Sequence, residues 1–211
     1  MTTTASAAEA HFRAIAPRYM RLFMQDFDAS ELDAAAVFGN AGYESLGFTK
    51  LQEIKPVVAG SRGGYGWFQW TGPRRRAFEA YCKRNGLNPS DDEANYKFLF
   101  VELIGSEKAS LAKLKAAKTL DEKVIAFENA FERAGVKAYP KRQKWAAIAL
   151  DALRTSEVHA DPPPAPADWD LPKSSPPIPA ASPGWLPLIV IGVLAVLVGL
   201  WVWLGGGPID V

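Results

Sequence analysis

Two stretches, GNAGYESLGF (residues 39–48) and GGYGWFQWTG (residues 63–72), decide how this chain reads. The first closes a helical pattern. Ser30 is a helix cap, and Asp33 follows three residues later in the manner of a capping box. Leu32, Ala35, Ala36 and Phe38 supply an apolar face, which predicts a helix over residues 30–48. Gly39 and Gly42 weaken that helix but permit close packing, or a turn, near Glu44. The second stretch breaks the helical period. Its glycines and aromatics predict a tight loop or a short β-hairpin.

Working outward, helical patterns cover residues 7–27, 74–85, 90–103, 107–116, 120–134 and 141–155. The start after Pro73 and the stop before Gly86 bound one of them. Ser90 caps another, with Asp91, Asp92 and Glu93 in its favourable first turn. The fold class expected is mainly α: a helical domain over residues 1–157 with one small β-hairpin or loop element. Residues 158–184 are rich in Pro and Ala and predict an extended linker. Residues 185–204, WLPLIVIGVLAVLVGLWVWL, hold no charge and match the bilayer core in length. Trp185 stands at one end of that run, and Trp201 and Trp203 at the other, as interfacial residues do. One C-terminal transmembrane helix is therefore expected, followed by a short tail at 205–211. Gly192 and Gly199 permit helix packing there, which leaves self-association through the span open.

The overall charge of +1 conceals an asymmetry. Residues 1–157 hold 23 of the 24 Lys and Arg and 19 of the 23 Asp and Glu, a balance of +4. That suits an anionic wall or membrane surface and falls far short of a nucleic-acid footprint. Cys82 is the one cysteine, so no internal disulfide forms. His11 and His159 are the two histidines. Zinc hydrolases need His at several ligand positions, and a Cys/His peptidase would have to pair Cys82 with His11 outside any motif. No metal and no cofactor are expected, and carboxylate chemistry remains.

Glu44 ends a glycine-containing helix beside Tyr43 and Phe48. Partial desolvation there favours a protonated carboxyl, which is what glycoside cleavage requires of its acid. Tyr65, Trp67, Phe68 and Trp70 offer faces for sugar rings, and Gln69 offers an amide. The same alternation also describes the inner face of a hairpin, so sugar platform and core both stand.

The pattern G-N-x-x-x-E-S-x-G-F followed by Y-G-W-F-Q-W-T-G-x-R resembles the phage tail lysozyme family. DDEANYKFLFVEL (91–103) resembles that family's next helix, and AFENAFERAGVKAYPKRQKWA (126–146) its closing motif. The resemblance implies a lysozyme-like α+β domain acting on bacterial peptidoglycan, with Glu44 as general acid. It implies that Gln69 contacts the sugar or the catalytic water, and that Ser45 shapes the site or merely ends the helix. Asn40, four residues before Glu44, shares its helical face. With Tyr65 and Trp70 these make the expected substrate-binding set. The second carboxylate is Glu53 or Glu132, unless either is structural, pairing with Arg62 or Arg133 or capping a loop. Arg74–Arg76 read as a solvated helix start.

These readings describe a phage endolysin or virion-associated lysozyme. It would be anchored to the host inner membrane by a single pass and act on the periplasmic wall, or as part of a phage particle. Its expected partners are peptidoglycan and membrane lipid, and not nucleic acid. A lytic transglycosylase and a non-catalytic glycan-binding module remain open beside the hydrolase.

Overall fold

The computed structural model describes residues 6–54, 56, 60–135 and 137–157. The expected linker and membrane span, at 158–184 and 185–204, lie outside these residues, as does the tail. Among the described residues no helix is long and apolar enough to cross a membrane.

Seven α-helices are found among the described residues: α1 (Ala7–Phe27), α2 (Glu31–Glu44), α3 (Gly72–Asn85), α4 (Asp92–Ile104), α5 (Lys108–Ala116), α6 (Leu120–Phe127) and α7 (Tyr139–Glu157). The caps explain several starts. Ser30 and Asp33 exchange bonds at the head of α2, and Thr119 and Glu122 do the same at α6. Ser6 caps α1 by accepting from the Glu9 N–H.

Helix α2 is the hub, packed against α1, α6 and α7. Residues Ala34–Gly42 are buried without a break, so this stretch faces protein on every side. Its run of Ala and Gly follows from that, because only small side chains admit neighbours all round. Gly39 is the extreme case. A Cβ there would stand 2.5 Å from the Ala146 Cα, so glycine is what lets α7 lie directly on α2. Leu or Val at this position would push α7 outward.

The helix expected over 30–48 ends at Glu44. Leu46, Gly47 and Phe48 all take positive φ, which no helix continues through. The Ser45 hydroxyl holds this turn, donating to the Ala41 carbonyl and accepting from the Phe48 N–H. The helix expected over 120–134 is also interrupted. After α6 the chain widens into a π-helical turn, Glu128–Glu132, which closes with Arg133 in the left-handed region. Such turns accommodate an extra residue and re-aim the side chains that follow.

The expected β element is reduced to isolated bridges, Gln52 to Tyr65 and Tyr65 to Trp70, with no strand among the described residues. Tyr65 and Trp70 exchange both backbone bonds, at 3.0 and 2.9 Å, around a tight turn. The aromatics of this loop lie in the core. Trp67 stacks on Phe48 at 4.2 Å between ring centroids, and Trp70 packs against Phe78 and Phe98.

Candidate active site

Glu44 and Glu132 come from different elements and line one cavity of about 520 Å³. Glu44 is delivered by the C-terminus of α2, and Glu132 by the end of the π-helical turn. Glu53, Gln69, Thr71 and Arg74 form further parts of the wall, and Arg133–Gly135 form another edge.

The two glutamates sit in different surroundings. Glu44 keeps 20 % of its side chain exposed and forms an ion pair with Arg142 Nη2. Glu132 is half-buried as a residue, but its Oε1 is sealed from solvent and has no hydrogen-bond partner. Burial pushes the Glu132 carboxyl well above the ordinary range, and the nearby charge of Glu44 adds to this. Arg74 and Arg142 oppose the shift without cancelling it. A carboxyl so placed favours its protonated form.

Charged groups fix the walls. Arg74 forks onto Glu102, with Nε and Nη2 at 2.7 and 2.8 Å from its two oxygens. Its third nitrogen, Nη1, donates to the Phe131 carbonyl and so ties α3 to the residue before Glu132. Arg133 forks onto Glu107, and Glu128 accepts from the Ala134 N–H and from Lys137. The segment around Glu132 is therefore clamped from both sides.

The other expected site residues fall into three groups. Glu53 lines the cavity, and its Oε2 accepts from the Gly64 N–H at 2.7 Å. The pairings considered for the second carboxylate are not formed: Arg62 pairs with Glu79, and Arg133 with Glu107. Gln69 also lines the cavity, with φ +47°. Its Nε2 donates to the Lys50, Leu51 and Gly66 carbonyls, leaving Oε1 as the amide atom without a bond. Gln69 thus fastens two segments of the wall together.

Asn40, Ser45, Tyr65 and Trp70 are held by contacts within the fold. Asn40 and Ser45 are fully enclosed. Asn40 lies beneath Arg142, accepting from its Nη1 at 3.0 Å, and Ser45 holds the turn after α2. Tyr65 is half-buried, carries Arg75 over its ring and does not line the cavity. Trp70 adds an edge to the wall, but it is 1 % exposed and its indole N–H donates to Glu102. These four build the scaffold rather than present a free sugar platform. The Arg74–Arg76 run is likewise mostly taken up internally, since Arg75 is buried on the Arg62 and Gly63 carbonyls and Arg76 alone is exposed.

Arg142 escaped the sequence reading. It looks like one more cation in the KRQK run that opens the last helix. The signal lay in helical register, because the Gly39–Ala146 approach carries position 142, one turn earlier on α7, toward the end of α2.

A model of the phage tail lysozyme family matches residues 15–153, which include all three candidate glutamates and Arg142. The chain belongs to the phage tail lysozyme family. Comparison with curated proteins and with solved structures gives no match. The helical architecture is consistent with a lysozyme-like fold, and membership points to a peptidoglycan-lytic function of the glycosidase type.

Proposed function

We propose that this protein cleaves the β-1,4 glycan strands of bacterial peptidoglycan, with Glu44 as general acid and Glu132 as the second carboxyl. The observation that carries this reading is the convergence of the two glutamates on one cavity, one partly exposed and ion-paired and the other with a carboxyl oxygen sealed from solvent. Burial and the neighbouring charge of Glu44 favour a proton on Glu132, while Glu44 pairs with Arg142 in the resting protein. The productive form is the other tautomer, with the proton on Glu44, the member a sugar can reach. Glu44 then protonates the departing glycosidic oxygen as the bond to the anomeric carbon breaks. Glu132, left ionised near Arg74 and Arg142, faces the positive charge that develops on the sugar ring. Water attacks that carbon, and its proton returns to the pair.

The test is product analysis of purified peptidoglycan after digestion. The hydrolase reading expects new reducing ends. Exclusive 1,6-anhydro ends would replace it with lytic transglycosylase chemistry, and an undigested wall would leave a glycan-binding module.

The anchor belongs to the same proposal. The uncharged run at 185–204 is the basis for a single-pass span, and the Pro-rich stretch before it for a tether to the catalytic domain. The protein would then act on the periplasmic wall from the host inner membrane. Val193→Arg with Leu197→Arg should release the chain from membranes, because each charge at the centre of a span costs about 2.5–3.5 kcal/mol. Retention of the double variant in carbonate-washed membranes would refute the anchor and leave the enzymatic reading intact.

A further inference from the structure

Arg142 is 1 % exposed, yet it contacts the proposed acid directly. Its Nη2 pairs with Glu44 Oε1, its Nη1 donates to Asn40 Oδ1 at 3.0 Å, and its Cζ lies 4.6 Å from the Tyr43 ring centroid. Asn40 is fixed in turn. Its Nδ2 donates to the Ala36 and Val124 carbonyls, so its Oδ1 is held toward Arg142. The guanidinium is therefore aimed by α2 itself, and its third nitrogen, Nε, is buried without a partner. An unsatisfied buried donor on an arginine is costly. Surface cations supply folding contacts without that cost, so the arrangement suits function better than packing.

We propose that Arg142 is a positioning residue, with Asn40 as its anchor, that holds the Glu44 carboxylate in the cavity and sets how the proton is divided between Glu44 and Glu132. The proposal rests on the catalytic pair described above and deepens it. The charged groups that face the pair are few. Arg142 comes from α7, Arg74 from the start of α3 and Glu102 from α4. Glu53 and Arg133 stand on the loop walls, and Glu107 neutralises Arg133. Helices α1, α5 and α6 contribute no residue to the cavity lining. Arg74 is committed to Glu102, which leaves Arg142 as the cation paired with a member of the couple.

The sign follows from charge. Arg142 favours negative charge on the pair, so its removal makes both protons harder to lose. If the one-proton form is active, both limbs of the pH–activity profile should move upward. In the full chain, Arg142→Gln should shift them by about one unit or more. It should also lower kcat by tenfold or more while KM changes little, since Arg142 is not among the residues that line the cavity. Arg142→Lys keeps the charge and should return the limbs toward their wild-type positions, with kcat only partly restored because the guanidinium's simultaneous bonds to Asn40 and Glu44 are lost. Titration of the Glu132 carboxyl by carbon-13 NMR should move upward in Arg142→Gln, independently of activity.

Limbs and a Glu132 titration that stay in place in Arg142→Gln, with only the melting temperature lowered, would overturn the proposal. If Arg142→Gln does not fold, Arg142→Lys and Asn40→Ala carry the test. A fall in kcat at unchanged KM in both supports the role, and wild-type kcat in both overturns it. Wild-type cleavage by Glu44→Gln would instead sink the catalytic pair itself, so the two failures are distinguishable.

Discussion

At the end of α2, Glu44 keeps a fifth of its side chain open to solvent, whereas Trp67, Phe68 and Trp70 in the neighbouring loop keep at most 2 %. On paper the two regions look alike, each a glycine-rich run with chemistry-bearing side chains. In space they divide the labour. The aromatic loop turns inward, stacks on Phe48, packs against Phe78 and stiffens the cavity from behind. The helical walls supply the carboxyls and the cations that hold them. The aromatic side chains of this loop therefore belong to the core, and the cavity wall is largely polar.

That division makes sharp demands. Glu132→Gln should lower glycan cleavage by about 10²–10⁴-fold, the usual worth of a positioned acid–base group, with little loss of melting temperature. Retained activity would return Glu132 to a packing role. Trp70→Ala should do the opposite, lowering stability by about 3–5 kcal/mol in denaturant titrations, because a buried indole and its bond to Glu102 are lost. A stable Trp70→Ala chain with weakened wall binding would show that the indole is a sugar platform after all. Gln69→Ala removes two bonds that join the loop to the 50–51 segment and one within the loop, and should cost about 1–3 kcal/mol. Unchanged stability with lost activity would place Gln69 in the chemistry rather than in the wall.

A smaller effect is thermodynamic. The folded Glu132 carboxyl titrates above its ordinary value, so the stability it contributes is fully present below that ordinary value. It is lost as pH rises through the folded value, at no more than about 1.4 kcal/mol per pH unit. Glu132→Gln should flatten this part of the stability profile. A profile that declines identically in both chains would mean that another group is responsible.

Most of the helices were legible because their signals are local. Ser30 with Asp33 and Pro73 with Gly86 mark boundaries within a few residues of chain. Glu44 stood out through its motif and Glu132 as one of two candidate carboxylates, and both line the cavity. What stayed hidden depends on contacts across the chain. The end of α2 at Glu44 needs three successive left-handed residues, of which only Gly47 announces itself. The π-helical turn before Arg133 leaves the apolar period intact while changing where Glu132 points. Asn40 and Arg142 stand 102 residues apart and acquire their roles only where α7 crosses Gly39. Inward and outward aromatics, finally, share one pattern in a loop this short.

The central claim is that Glu44 and Glu132 form a catalytic pair that cuts glycan strands. Its most direct test is muropeptide release from purified peptidoglycan by the full chain and by Glu44→Gln at matched folded concentration. The substitution keeps the shape of the side chain but removes the transferable proton. The account predicts release by the wild-type chain, a loss of at least about 10²-fold in the variant, and closely similar melting temperatures. Release by Glu44→Gln at the wild-type rate would contradict it.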